Sequence, residues 1–112
     1  MQVVFETPDP EAEQLRPVAE RRIRLALRRL SWLSPSARVI MSDINGPDGG
    51  VDKQCRVELI TESTGVVVIT SVARNWLTAL HSALARAARA LLQAWQRNRP
   101  SQHTQKTLAL QP

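Results

Sequence analysis

The spacing of apolar positions changes along the chain, and each change marks an element. "MQVVFET" is a β-branched and aromatic run that closes at Thr7-Pro8, which predicts a strand over residues 1–7. In "PDPEAEQLRPVAERRIRLALRRLSWL" the period becomes helical: Leu15, Ala19, Ile23, Ala26, Leu30 and Leu33 share one face, with Val18 and Leu27 at its margins. Asp9, Pro10, Glu11 and Glu13 suit a helix start, because acids are favoured at the positive end of the helix dipole. Pro17 interrupts this helix. It removes one backbone donor, so the pattern predicts either a kink or a later start near Glu13.

After a Ser-Pro-Ser break, "ARVIMSDIN", "KQCRVELIT" and "GVVVITSV" read as three strands, the last two separated by a short "ESTG" turn. Successive strands joined by loops predict an antiparallel meander. In the middle run Cys55, Val57 and Leu59 alternate with Gln54, Arg56 and Glu58, the pattern of a sheet covered on one face. The last run is nearly all apolar, and its two faces are not distinguishable by pattern.

From Asn75, a good N-cap, "WLTALHSALARAARALLQAWQRNR" is rich in alanine and leucine and strongly helical. Its apolar stripe comprises Leu77, Leu80, Leu84, Ala87, Ala88, Leu91 and Trp95. Arg86, Arg89, Gln93 and Arg97 lie on the opposite side at spacings of three and four. Pro100 ends the helix, and residues 100–112 read as a mobile tail. The expected fold is therefore α+β with order β-α-β-β-β-α, a four-stranded sheet carrying two helices on one face, in one domain over residues 1–99.

Charge sharpens this picture. Residues 1–62 hold nine Lys/Arg and ten Asp/Glu, whereas residues 63–112 hold six Lys/Arg and no acid, so the second half supplies the whole net charge of +5. Thirteen of the fifteen basic residues are arginine, whose planar fork suits phosphate and stacks on bases. On the first helix Arg21, Arg24 and Arg28 form a polar row, flanked by Arg22 and Arg29; the second helix presents Arg86, Arg89 and Arg97. A solvated helix face ordinarily mixes signs to gain opposite-charge pairs, so an acid-free basic helix points to a polyanionic partner. Contacts of this kind make binding steeply salt-dependent without conferring sequence specificity.

Other chemistry finds little support. One cysteine, Cys55, alternates with core positions and has no fixed histidine partner, so it reads as a buried inert thiol. His81 and His103 have no ligand at metal-site spacing. No Ser/His/Asp order, paired-carboxylate pocket, zinc-protease motif or Walker sequence occurs. The glycines of "GPDGGVDKQCR" lead into a strand instead of a helix, so they supply a flexible connection and not a phosphate loop. Trp95 belongs to an apolar stripe and reads as core, while Trp32 and Trp76, near helix ends, are open either to core packing or to base stacking. The expectation is a soluble, cytoplasmic, non-enzymatic protein with no cofactor, metal, membrane span or small-molecule substrate.

The β-α-β-β-β-α order, the segment "INGPDGGVDKQCRVEL" and the helix "NWLTALHSALARAARAL" resemble the ribosome hibernation promoting factor and ribosome-associated inhibitor A family, also called sigma factor modulation proteins. The resemblance covers residues 1–99, and its most specific part is the Gly-Pro-x-Gly-Gly-x-Asp-Lys-x-Cys-x-Val pattern from Gly46 to Val57. It implies binding to the small ribosomal subunit, in the channel used by mRNA and by A- and P-site tRNA. Basic residues of both helices would meet ribosomal RNA, and initiation would be blocked while idle ribosomes are preserved in stress or stationary phase. Residue by residue, Arg21, Arg24 and Arg28 fall where the family's first helix is basic, Lys53 and Arg56 belong to the strand entry and are expected to reach RNA from the sheet side, and Arg86 and Arg89 match basic positions of the second helix.

Two positions depart from the family pattern: the second helix commonly opens with an acid and a tyrosine, where Asn75 and Leu77 stand, and Pro17 is unusual in the first. The chain looks like a short form without the C-terminal dimerisation domain of long members, acting as a monomer away from the ribosome. Two alternatives remain from the sequence. One is a general RNA-binding module similar to a double-stranded RNA-binding domain; the other is a protein-interaction modulator of a sigma factor.

Overall fold

The computed structural model describes residues 1–44, 52–62 and 65–97. Their order is β1 (Gln2–Glu6), α1 (Pro10–Glu13), α2 (Arg16–Leu27), a 3-10 turn (Arg28–Leu30), β2 (Ser36–Asp43), β3 (Lys53–Ile60), β4 (Val66–Ala73) and α3 (Trp76–Arg97). The α+β reading and the β-α-β-β-β-α order both stand. The glycine loop at Gly46, Gly49 and Gly50 and the tail expectation for 100–112 lie outside the described residues.

The predicted first helix is divided, and Pro17 is the reason. α1 is a single turn, after which the Leu15 amide donates to the Ala12 carbonyl in a tighter loop, and α2 opens at Arg16. Pro17 thereby falls in the first turn of α2, where an amide would have no intrahelical partner to lose. Arg16 fixes the break: it pairs with Glu13 and Glu20, donates to the Phe5 carbonyl at 2.9 Å, and lies 5.0 Å from the Phe5 ring centre. Asp9 precedes α1 but makes no side-chain cap; its carboxylate instead accepts the Asp43 amide at 3.0 Å, tying the helix start to the end of β2.

The sheet order is β1-β2-β3-β4. β1 runs parallel to β2 because α1 and α2 return the chain across the sheet, and β2, β3 and β4 form the expected antiparallel meander. Cys55 stands between Met41 and Ser71, Val57 between Val39 and Ile69, and Leu59 between Ala37 and Val67. Phe5, Val39, Met41, Cys55, Val57 and Leu59 make one core with Ile23, Leu27, Leu80, Leu84 and Leu91 of the helices. Burying each large aliphatic chain contributes roughly 1.5–3 kcal/mol.

One face differs from its predicted composition, and the facing that pattern left open in β4 is resolved. On α2, Leu27 is fully buried and Ala26 is exposed, the reverse of the expectation. Neighbouring rows on a helix differ by a small rotation, and the position of the sheet selects the row Ala19, Ile23, Leu27. In β4 the strand's own alternation settles what composition left open: Val67, Ile69, Ser71 and Ala73 turn toward α3, while Val66, Val68 and Val72 are exposed. Gly65, which leads into β4, has φ +81°, a conformation that other residues adopt only with strain.

α3 begins as its sequence predicts. The Asn75 side chain accepts the Thr78 amide at 2.8 Å, satisfying a donor that the helix itself leaves unpaired. No described helix is long and apolar enough to cross a membrane.

Candidate nucleic-acid interface

The acids among the described residues are largely neutralised where they stand. On the uncovered sheet face Arg38 pairs with Glu6 and Glu58, and Arg56 pairs with Glu58 at 2.9 Å. Its bond with Arg38 lowers the Glu6 pKa, and Arg16 does the same for Glu13. At the opening end of α3, Lys53 bonds Asp43 at 2.8 Å and lies 3.5 Å from Asp52, while the Trp76 ring nitrogen donates to Glu11 at 2.6 Å.

The outer face of α2 and of the 3-10 turn that continues it has no such compensation. Arg21, Arg22, Arg24, Arg28 and Arg29 are all exposed, and none forms an ion pair with a described residue. Among the described residues Arg24 makes only a long bond, 3.4 Å, to the Met1 carbonyl. Arg24 and Arg28 line a hollow of about 210 Å³ with Met1, Val3, Leu27 and Ser31, so they overlook the β1 edge of the sheet. Arg21 and Arg22 lie beside Pro17, Val18 and Leu25 on the outer surface of the same helix. Like charges this close repel in the free protein, and a polyanion relieves that repulsion.

The α3 row lies elsewhere. Arg86 reaches β4, donating to the Thr70 carbonyl at 3.0 Å and to the Ser71 hydroxyl at 2.9 Å. Arg89 and Arg97 are exposed, have no ion pair among the described residues, and share the Arg86 side by helical spacing. β1 and β4 are the two edges of the sheet, so the basic rows occupy opposite flanks of the helix layer. Between them runs a groove lined by Arg22, Leu25, Ala26, His81, Leu84 and Ala85. The structure thus keeps Arg21, Arg24 and Arg28 together and separates them from Arg86, Arg89 and Arg97.

Lys53 and Arg56, adjacent in the family-like motif, point to different sides. Arg56 is on the uncovered face. Lys53 shares the parity of Cys55 and is turned toward the helices, 5.3 Å from the Trp76 ring centre. Its hydrogen bond to Asp43 raises its pKa, so it remains a cation within a structural cluster. A reach of Lys53 to RNA from the sheet side does not fit this orientation.

The remaining candidates resolve by burial. Cys55 is buried and its thiol pKa is pushed up to about 12 by desolvation, which removes the reactive thiolate at neutral pH. Trp76 is core. Trp95, expected in the core, is only half-buried and instead packs edge-to-face with Trp32, the ring centres 5.2 Å apart and the planes at 87°. Arg74, an exposed cation between β4 and α3, was outside every periodic row and had no sequence signal. No group of three or more His, Cys, Asp or Glu among the described residues is placed to hold a metal.

The chain matches no protein-family model and no curated protein.

Proposed function

We propose that the chain is a ribosome-associated translation inhibitor of the hibernation type, seated on the small subunit in the mRNA and tRNA channel. The observation that carries this reading is the uncompensated arginine flank of α2, Arg21, Arg24 and Arg28, in a protein whose acids are mostly paired elsewhere. Arginine forks on phosphate oxygens give affinity, and a rigid helix gives them fixed spacing. The motif from Gly46 to Val57 supplies the link to ribosomes, and the role is cytoplasmic and non-enzymatic. The test is co-sedimentation with purified small subunits at low salt, together with inhibition of initiation in a cell-free system. Binding and inhibition are expected together; absence of binding to subunits overturns the reading, and equal affinity for free duplex RNA assigns the chain to general RNA binding.

A protein-docking role, including the sigma-factor alternative, is a second reading. The exposed strip of Ile60, Val66, Val68 and Val72 on the uncovered sheet face favours it. Capture of a sigma factor that survives nuclease and high salt distinguishes it.

A further inference from the structure

We propose that Trp32 is a stacking platform for an unpaired nucleobase, with Arg24 and Arg28 on the phosphates of the same single strand. This rests on the RNA reading above and names a form of RNA that the basic flank by itself does not.

Trp32 is 65% exposed, although an indole carries a large apolar surface. Its edge-to-face contact with Trp95 favours one orientation of the ring. A contact at 87° uses at most one face of Trp32, so at least one π-face is not taken up by Trp95. The ring borders a hollow of about 320 Å³ lined by Ser31, Trp32, Leu33, Pro35, Glu62 and Trp95. Ser31 also lines the hollow that holds Arg24 and Arg28, so the two are neighbours along the end of α2. Cations for the backbone next to an aromatic for the base is the arrangement single-strand binders use. Glu62 repels phosphate and accepts hydrogen bonds from exocyclic amines, so the base enters this hollow and the backbone stays on the arginine side. A base locked in a duplex cannot present its face to the ring.

The experiment compares the full chain with Trp32→Ala, Trp32→Phe and the double variant Arg24→Glu/Arg28→Glu, using a short cytidine oligomer and a perfect RNA duplex. Thermal melts confirm folding. Removal of one stacking aromatic is expected to weaken oligomer binding by roughly 5- to 150-fold. Duplex affinity should stay within about twofold, and Trp32→Phe should recover most of the loss. The arginine variant should lose both ligands. If Trp32→Ala binds the oligomer as wild type does, or loses duplex equally, the stacking site is wrong while the RNA reading stands. If the wild type does not bind the oligomer, the stacking site is wrong, whereas the RNA reading falls only with loss of binding to small subunits.

Discussion

The two basic rows look alike in sequence and differ in the fold. The α2 row stands over the β1 edge with no acid among the described residues to answer it, whereas the α3 row begins with an arginine tied to the β4 edge. Arg86 satisfies a backbone carbonyl of an edge strand whose exposed valines would otherwise invite pairing with another chain. A positive charge on a helix is therefore not evidence of a ligand until its neighbours are known. One flank has charge to spare, and the other has partly used it to finish the fold.

The arginine flank depends first on the core beneath α2. Ile23→Ala removes a fully buried chain and should cost about 2–5 kcal/mol in denaturant unfolding, displacing the arginine flank with it. A loss below about 1 kcal/mol means that α2 is not packed as described. Arg86→Ala should cost about 1 kcal/mol through its lost hydrogen bonds, while Arg21→Ala leaves stability unchanged or raised by relief of repulsion. Equal effects at the two sites remove the distinction between the flanks. Asn75→Ala should cost about 1 kcal/mol by uncapping α3, and Asn75→Ser should restore most of it.

Titration gives a smaller test. Glu6 and Glu13 have lowered pKa values, so their contribution is present above the ordinary carboxylate range and is lost as the pH falls through the lowered values. Lys53 and Cys55 have raised values, so their contributions are intact below their ordinary pKa and are lost as alkaline pH rises through the raised ones. Native Cys55 should accordingly resist iodoacetamide at pH 8 and react once the chain is unfolded by denaturant. Rapid labelling of the native protein would place this thiol outside the core.

The order of elements was legible because each has a distinct period: alternation at Cys55, Val57 and Leu59, helical spacing in both helices, and a capping Asn75. The arginines were legible as rows. What local pattern lacks is knowledge of what lies beneath. It does not choose between adjacent helix rows, so Leu27 and Ala26 exchange roles; it does not orient an all-apolar strand, so β4 stayed open. Lys53 followed its strand parity toward the helices, a consequence available from Cys55 two positions away. The destination of Arg86 and the pairing of Trp32 with Trp95 depend on contacts between distant segments, which no periodicity encodes.

The decisive measurement is the salt dependence of binding to isolated small ribosomal subunits, for the wild type and for Arg21→Glu/Arg24→Glu/Arg28→Glu. Loss of three phosphate contacts should flatten the plot of log affinity against log salt by about 2–3 units of slope and weaken low-salt binding by about 100-fold or more. The melting temperature should hold. An unchanged slope with unchanged affinity would contradict the assignment of the α2 flank as the surface that meets RNA.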